Sequence, residues 1–251
     1  MDLSLNNKKI LVIGATSGIG RRVSIDLDNL GAELFLTSRT LEKIDSVFSE
    51  EKFNKEPVFI ELDFQNFSNS RQCAKDLINL YGPFDGVFFS AGNALMKPAK
   101  LTKEDDLNEV FGSSIHAVIS LGAELASKKG MNAGGSIVFM SSVAGSRGQT
   151  GLSVYSSSKA AIDGYVRGLA IELSGKGIRV NSIAAGAIIT DMHKSIVNQT
   201  TPEALQEYEL KHPLGFGSVE DISNSVCFML SDLSKWITGT VLYVDGGYTA
   251  K

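Results

Sequence analysis

Residues 9–20 read Lys-Ile-Leu-Val-Ile-Gly-Ala-Thr-Ser-Gly-Ile-Gly, and this stretch decides the fold class of the chain. A short apolar run leads directly into a glycine-rich loop, Gly14–Gly20, and apolar residues at helical spacing follow it. Glycines allow a tight turn and let the backbone approach a pyrophosphate, while the start of the next helix offers free N–H groups. The stretch therefore predicts a β-strand, a phosphate-binding loop and a helix.

The spacing of the glycines narrows this interpretation. They form Gly-x-x-x-Gly-x-Gly, which differs from the commoner dinucleotide fingerprint and lacks the Gly-Lys-Ser/Thr of a P-loop. An ordinary turn between strand and helix is the alternative, but the position at the first βα junction favours phosphate binding. The residues predicted to contact a dinucleotide here are Gly14, Thr16, Ser17, Gly18, Ile19 and Gly20.

Further short apolar runs alternate with helix-length amphipathic stretches along the whole chain. The predicted strands are Lys9–Gly14, Glu33–Ser38, Pro57–Asp63, Gly86–Ser90, Ser136–Ser141, Arg179–Ala184 and Thr240–Val244. Their residues are apolar almost throughout, as expected when helices cover both faces of a parallel sheet. The sequence predicts an α/β fold, a Rossmann-like doubly wound sheet of about seven parallel strands, with residues 1–251 in a single domain.

The longest segment without a predicted strand runs from Ile188 to about Ser218. It follows the carboxyl end of a strand, where ligands of open α/β sheets bind. We therefore expect a substrate lid at about 188–218, with a plain surface excursion as the alternative.

Composition and charge exclude several functional classes. The 251 residues are 43% hydrophobic and 21% charged, which is typical of a globular protein, and the formal net charge of −4 leaves no basic stripe for nucleic acid. Cys73 and Cys227 lack metal-ligand spacing, so we expect no metal site and a reducing, cytoplasmic location. No apolar stretch approaches 18 residues, so no membrane contact is expected.

The end of the second predicted strand bears on the choice of cofactor. An NAD site needs a carboxylate about 20 residues past the glycines, to bind the ribose 2′-hydroxyl. The chain instead has Thr37-Ser38-Arg39-Thr40. Arg39 can pair with a 2′-phosphate while Ser38 or Thr40 adds a hydroxyl, which favours NADP(H) over NAD(H). A solvated surface arginine is the alternative.

Proton-transfer chemistry is predicted from Tyr155-Ser156-Ser157-Ser158-Lys159, which opens a helical stretch to about Leu173. Positions i and i+4 share a helix face, so the phenol and the ammonium can meet. A nearby cation is expected to lower the pKa of Tyr155 toward useful proton transfer. Ser142, at the end of the fifth predicted strand, can hydrogen-bond a substrate carbonyl and stabilise developing charge on its oxygen.

Taken together, these motifs resemble the short-chain dehydrogenase/reductase family over essentially the whole chain. The matching residues are Gly14, Gly18, Gly20, Asp63, Ala91, Gly92, Ser142, Tyr155, Lys159, Asn181, Ala185, Gly186, Thr190 and Asp245-Gly246-Gly247. Within the family the resemblance is to 3-oxoacyl-carrier-protein reductase-like members.

The resemblance implies roles for several of these positions. Tyr155 is the acid/base, Lys159 also holds the nicotinamide ribose, and Asp63 lies near the adenine. The backbone around Ile188 and the Thr190 hydroxyl touch the nicotinamide amide. The remaining cofactor positions implied are Phe64, Ser90, Ala91, Gly92, Ala185 and Gly186. Many relatives are tetramers built through two long helices and the last strand, so a homo-oligomer, a tetramer or a dimer, is expected.

Several positions depart from the family pattern. Ile13 replaces a threonine, Ser90 replaces an asparagine, and Ala185 replaces a proline. Ser114 stands 28 positions before Ser142, where relatives commonly have an asparagine of the proton relay. A serine cannot reproduce the reach and the donor/acceptor pair of an amide, so the part of Ser114 in a relay is open.

The leading functional hypothesis is hydride transfer between NADP(H) and a carbonyl or secondary alcohol substrate. A 3-oxoacyl thioester, a sugar-type ketone, a steroid-like alcohol and a small ketone are all compatible with the sequence. A cofactor-binding regulator or partner subunit with low activity is the main alternative, and a sugar-nucleotide epimerase or dehydratase is another. His193 and His212 flank the predicted lid, where the sequence favours solvated side chains, with contact to the substrate as the alternative.

Overall fold

The computed structural model describes residues 3–64, 69–190 and 201–251. Within these residues, seven strands form one parallel sheet in the order β3-β2-β1-β4-β5-β6-β7. The strands are β1 Lys9–Ile13, β2 Glu33–Ser38, β3 Val58–Glu61, β4 Phe84–Phe89, β5 Met131–Ser142, β6 Arg179–Ala185 and β7 Val241–Val244. The predicted fold class is confirmed.

Helices cover both faces of the sheet. In the described residues they are α1 Gly18–Asn29, α2 Leu41–Phe48, α3 Ser70–Tyr81, α4 Glu104–Phe111, α5 Ala117–Leu125, α6 Ser153–Leu173, α7 Pro202–Leu210 and α8 Val219–Leu230. A π-helical turn, Gly112–His116, joins α4 to α5. The predicted helix from Tyr155 to about Leu173 is confirmed as α6.

Alternating side chains of the buried strands build two hydrophobic cores. From β1, Leu11 and Ile13 pack into the core beneath α3, α5 and α6. Ile10 and Val12 point to the opposite core, beneath α1, α2 and α8. Because both faces are covered, the central strands are apolar at nearly every position, as the sequence predicts.

The order of the strands reverses between β1 and β4, and this crevice is where an open α/β sheet binds its ligand. The two strands are held together beyond their last paired residues, since the Ser90 N–H donates to the Ile13 carbonyl at 2.9 Å. The glycine loop after β1 and the segment Ser90–Gly92 after β4 therefore face one another across the crevice.

The predicted lid is described in part. Residues 191–200 lie outside the described residues, and His193 is among them. On the described side, Ile188 pairs with Gly217 in an isolated parallel bridge, and helix α7 begins at Pro202. Across the described ranges, none of the helices is long and apolar enough to cross a membrane.

Candidate active site

Two neighbouring clefts at the carboxyl edge of the sheet form one groove. The first, of about 140 Å³, lies over β1 and β2 and is lined by the glycine loop and the end of β2. The second, of about 610 Å³, lies over β4, β5 and β6 and contains the Tyr155 and Lys159 side chains. Ser90 and Gly92 line both clefts, so the two clefts adjoin at the crevice.

The glycine loop is shaped for a close backbone approach. A Cβ on Gly20 would overlap the carbonyl oxygen of Gly14, so only glycine lets the loop fold back on the start of α1. Gly18 has a left-handed φ of +47°, and a Cβ there would lie 3.3 Å from the Thr190 side chain. The Ser17 side chain makes no capping bond at the start of α1. These features fit a pyrophosphate at the helix N-terminus.

Two cations stand at the far end of the first cleft. Arg39 follows the last residue of β2 and is exposed, and Lys43 lies one turn further on in α2. In residues 3–64, 69–190 and 201–251, the Arg39 guanidinium is in no ion pair. The Ser38 hydroxyl lies 3.2 Å from the Thr16 hydroxyl, which links the end of β2 to the glycine loop. The predicted phosphate-binding residues thus lie together.

Asp63 and Phe64 occupy the segment after β3. Both line the first cleft, opposite the glycine loop. The Phe64 ring, however, is buried in the core and packs on Phe89 at a centroid distance of 6.3 Å. Phe64 therefore offers the cleft its backbone rather than an aromatic face.

Ser142 and Tyr155 line the second cleft from two adjoining elements. Ser142 is the last residue of β5, and its hydroxyl accepts a hydrogen bond from the Ala144 N–H at 3.2 Å. Tyr155 is the third residue of α6, and its phenol interacts with the Ser142 hydroxyl. The strand end and the helix start therefore bring the two predicted hydroxyl groups together.

Lys159 lies one helical turn beyond Tyr155 and is almost completely buried, with 5% of its surface exposed. Its Nζ donates to the Met140 carbonyl at 3.1 Å and lies 5.6 Å from the centre of the Tyr155 ring. Gly92 lines the cleft beside it, and a Cβ there would sit 3.5 Å from Nζ. The ammonium is thus fixed at the junction of the two clefts.

The electrostatics of this pair differ from the prediction. Burial raises the pKa of the Tyr155 phenol, and the hydrogen bond with Ser142 opposes that rise only in part. The predicted direction was therefore wrong, because loss of water disfavours the phenolate and the ammonium bonds the Met140 carbonyl. Burial also lowers the pKa of Lys159, from 10.5 to about 8, while Asp163 favours its charged form.

Asp163 was missed by the sequence reasoning. It follows Lys159 by one helical turn, is buried, and accepts a hydrogen bond from the Ser182 hydroxyl at 2.8 Å. Burial raises the pKa of its carboxyl, whereas hydrogen bonds from Ser182 and Ser141 lower it. The i, i+4 spacing from Lys159 was a signal in the sequence, but only the fold shows that both groups are buried.

Ser114 lies within the π-helical turn and is buried. Its hydroxyl donates to the Val110 carbonyl of the preceding turn. The irregular turn is therefore present without an asparagine, and the donor of Ser114 is committed to its own helix. A relay through Ser114 stays a prediction.

The segment after β6 forms one wall of the second cleft. Ala185, Gly186, Ile188 and Thr190 line it, together with Ala187. The backbone is held in place because the Gly217 N–H donates to the Ala187 carbonyl at 3.0 Å and the Ile189 N–H donates to the Gly217 carbonyl at 2.9 Å. We call residues 187–189 the backbone shelf.

An aromatic cluster near this shelf was also missed. Tyr208 of α7, Tyr248 near the C-terminus and Gln149 all line the second cleft, and the Gln149 amide donates to both phenol oxygens, at 3.4 and 2.9 Å. His212 is 3% exposed and packs among the rings, so the predicted solvated side chain was wrong. The cluster joins segments far apart in sequence, and no local pattern marks it.

Comparison with known families gives a match over nearly the whole chain. Residues 14–249 match the family model described as enoyl-(acyl carrier protein) reductase. The chain is 31% identical over 246 residues to a 3-oxoacyl-[acyl-carrier-protein] reductase of Rickettsia felis, covering 98% of each chain. It is 33% identical over 254 residues to L-xylulose reductase of Mus musculus, covering 100% of each.

Solved structures agree with these relatives. A chain provisionally assigned as a 2-deoxy-D-gluconate 3-dehydrogenase of Agrobacterium tumefaciens, with bound NADP, superposes with a TM-score of 0.85. Its sequence is 25% identical, and the match covers 100% of this chain and 99% of that one.

Proposed function

Because the chain belongs to the short-chain dehydrogenase/reductase family and the relatives named above are reductases, we propose that it transfers a hydride between NADP(H) and a carbonyl or secondary alcohol. The observation that carries this proposal is the groove itself. A hydroxyl pair, Ser142 and Tyr155, and a buried ammonium, Lys159, lie where the second cleft meets the first. One elongated ligand in the first cleft and a small one in the second would meet at these three side chains.

The residues of the first cleft fit a phosphorylated dinucleotide. The close-packed glycine loop accommodates a pyrophosphate, and Arg39 and Lys43 offer positive charge beyond it, beside the Ser38 hydroxyl. Asp63 would face the adenine, and the backbone shelf and Thr190 the nicotinamide amide. When bound, NADPH supplies the hydride that reduces the substrate carbon.

The protein's own residues manage the proton and the charge on the substrate oxygen. Ser142 donates a hydrogen bond that stabilises negative charge as it develops on that oxygen. Tyr155 donates its proton to the same oxygen, for which its raised pKa keeps the phenol protonated at neutral pH. Lys159 stabilises the phenolate that remains, since its ammonium is fixed beside the ring. Alcohol oxidation runs the same proton path in reverse.

Two relatives indicate the substrate classes to test. The Rickettsia felis protein is named for a 3-oxoacyl thioester and the Mus musculus protein for a ketose. The second cleft combines apolar side chains, Met96, Leu152 and Leu205, with the hydroxyls of Tyr208 and Tyr248. This mixed lining supports a small ketone that bears both polar and apolar groups. Carbonyl reduction is supported separately, because the Ser142 and Tyr155 hydroxyls lie together in the same cleft.

The decisive experiment follows NADPH absorbance with a panel of carbonyl compounds. The panel contains an acetoacetyl thioester, a ketopentose and a small aryl ketone, each also assayed with NADH. Oxidation of NADPH by at least one compound, faster than oxidation of NADH, is expected. Tight NADPH binding without turnover of any compound would favour the cofactor-binding regulator instead.

We further propose that the protein is a cytoplasmic homo-oligomer with a lid that includes α7. Ile119 of α5 and Ile171 of α6 are 45% and 74% exposed, and such large apolar side chains favour burial between subunits. Tyr243 of β7 is also exposed. Light scattering of the purified chain tests for the expected tetramer or dimer.

A further inference from the structure

We propose that His212 is a positioning residue that couples the wall of the substrate cleft to the backbone shelf. The inference rests on the proposed function, because it assigns the shelf to the nicotinamide end of the cofactor. His212 is buried at 3% exposure, follows the end of α7 by two residues, and stands outside the set of residues predicted for the site.

The two ring nitrogens of His212 bond two different elements. The Ala187 N–H of the shelf donates to Nε2 at 3.3 Å. On the other side, Nδ1 lies 3.1 Å from the Tyr208 carbonyl in the last turn of α7. A carbonyl can only accept, so Nδ1 carries the proton and Nε2 offers its lone pair to Ala187. One neutral imidazole therefore satisfies both the shelf and the helix end.

The ring itself is clamped by aromatic side chains that belong to the cleft. Tyr248 stacks on it at 4.7 Å with an interplanar angle of 27°, and Tyr208 meets it edge-on at 5.1 Å. Both tyrosines line the second cleft, and Gln149 bonds both of their hydroxyls. Movement of these pocket residues therefore reaches the imidazole directly.

The bond to Ala187 is distinctive within the shelf. The two backbone bonds described above hold the shelf to Gly217 through the Ala187 carbonyl and the Ile189 N–H. Among the residues that the structure describes, the Ala187 N–H donates only to the His212 side chain, and Ala187 is 7% exposed. A buried N–H without an acceptor is costly, so loss of Nε2 favours a shifted shelf. The segment that would shift is the backbone shelf, which the proposed cofactor contacts.

Three substitutions of His212 distinguish the effects of its two hydrogen bonds from the effect of its ring packing. In His212→Gln, the amide oxygen reaches the place of Nε2 and keeps an acceptor for Ala187. In His212→Asn, the shorter amide reaches only the place of Nδ1, and its NH₂ group can still donate to the Tyr208 carbonyl. His212→Phe keeps an aromatic ring without either polar atom. Asn224→Ala, at an exposed position of α8 outside both clefts, serves as the control.

The experiment measures NADPH and NADH dissociation constants by fluorescence titration, with kcat and KM for an accepted carbonyl substrate. We expect the NADPH dissociation constant to rise about 5- to 150-fold in His212→Phe and His212→Asn, the range for an orphaned buried donor. We expect His212→Gln to recover most of that affinity. Thermal melts of all variants check folding, and the Gln/Asn pair remains a test if the Phe variant does not fold.

The outcomes distinguish this inference from the proposed function. If the wild-type protein binds neither NADPH nor NADH, the proposed function fails. If the wild-type protein binds NADPH, and His212→Asn and His212→Gln bind it as tightly as the wild type does, the positioning role of Nε2 is overturned and the proposed function is unaffected. Equal losses in Gln and Asn variants with lowered melting temperatures would also overturn it, since His212 would then act only in stability.

Discussion

The two ends of the groove hold their key side chains in opposite ways. At the proposed catalytic end, Lys159 is 5% exposed and its ammonium is bonded to a main-chain carbonyl. At the other end, Arg39 is exposed at the rim of its cleft. Water and salt screen an exposed charge, whereas they screen a buried charge much less. Substitutions at the catalytic end should therefore have the larger effects.

The largest expected effect is that of Tyr155→Phe. The change removes the proposed proton donor and keeps the ring, so turnover should fall by about 10²-fold or more while NADPH affinity changes little. Single-turnover absorbance measurements give the rate, and fluorescence titration gives the affinity. Tyr165→Phe, on the same helix and outside both clefts, is the matched control. Near-normal turnover in Tyr155→Phe would mean that another group supplies the proton.

Arg39→Ala tests the exposed end. Loss of charge-assisted bonds to a 2′-phosphate should weaken NADPH binding by about 1.5–3 kcal/mol and leave NADH binding nearly unchanged. Lys43→Ala should have a smaller effect in the same direction, because a lysine offers no bidentate contact. Paired titrations with both cofactors measure this selectivity, with Lys75→Ala on α3 as the control. Equal losses for NADH and NADPH would contradict a 2′-phosphate role.

The pH dependence of turnover tests the burial of Lys159, which lowers the pKa of its ammonium. Lys159 carries its proton below a pKa of about 8 and loses it as pH rises through that value, so kcat/KM for reduction should fall on the alkaline side. Asp163 favours the ammonium, so Asp163→Asn should lower the pKa of Lys159 and move this decline to lower pH.

Between pH 7 and pH 9, we expect Asp163→Asn to lose an additional factor of about three to ten in kcat/KM. The exposed Asp76→Asn on α3 should follow the wild-type profile. An alkaline limb that does not move, or that moves to higher pH, would contradict the effect of Asp163 on Lys159.

The smallest effect is expected at Ser114. Its hydroxyl donates to the Val110 carbonyl, so Ser114→Ala should cost less than about tenfold, or 1.4 kcal/mol, in turnover. Ser114→Asn should be tolerated, since the π-helical turn already departs from regular helix geometry. A hundredfold loss in Ser114→Ala, with unchanged folding and NADPH affinity, would make the serine an active member of the relay.

Much of the fold could be predicted because the central strands are buried on both faces. Their apolar runs placed all seven strands, but the starts of β4 and β5 were missed. The structure begins β5 at Met131, ahead of Asn132-Ala133-Gly134-Gly135, which has the composition of a turn. The register between β4 and β5 shifts there, and pairing with a neighbouring strand overrides local preference.

The site was predictable where its residues are close in sequence. Gly14–Gly20 and Tyr155–Lys159 are local patterns whose spacing fixes their relative positions on a turn or a helix. His212 was not predictable in this way: Tyr208 is four positions away, but its other partners, Ala187 and Tyr248, are 25 and 36 positions away. The direction of the Tyr155 pKa also depends on burial, and burial follows from tertiary packing that no spacing encodes.

The sharing of Ser90 and Gly92 by both clefts has a consequence for inhibitor design. Because the clefts adjoin at these residues, a single molecule can bear an anionic group directed at Arg39 and an aryl ketone mimic directed at Tyr155. Joining two weak fragments in this way makes the second contact intramolecular, so the affinity gain depends on tether length rather than on new contacts. The strongest bisubstrate ligands should be those whose tether matches the span of the crevice between β1 and β4.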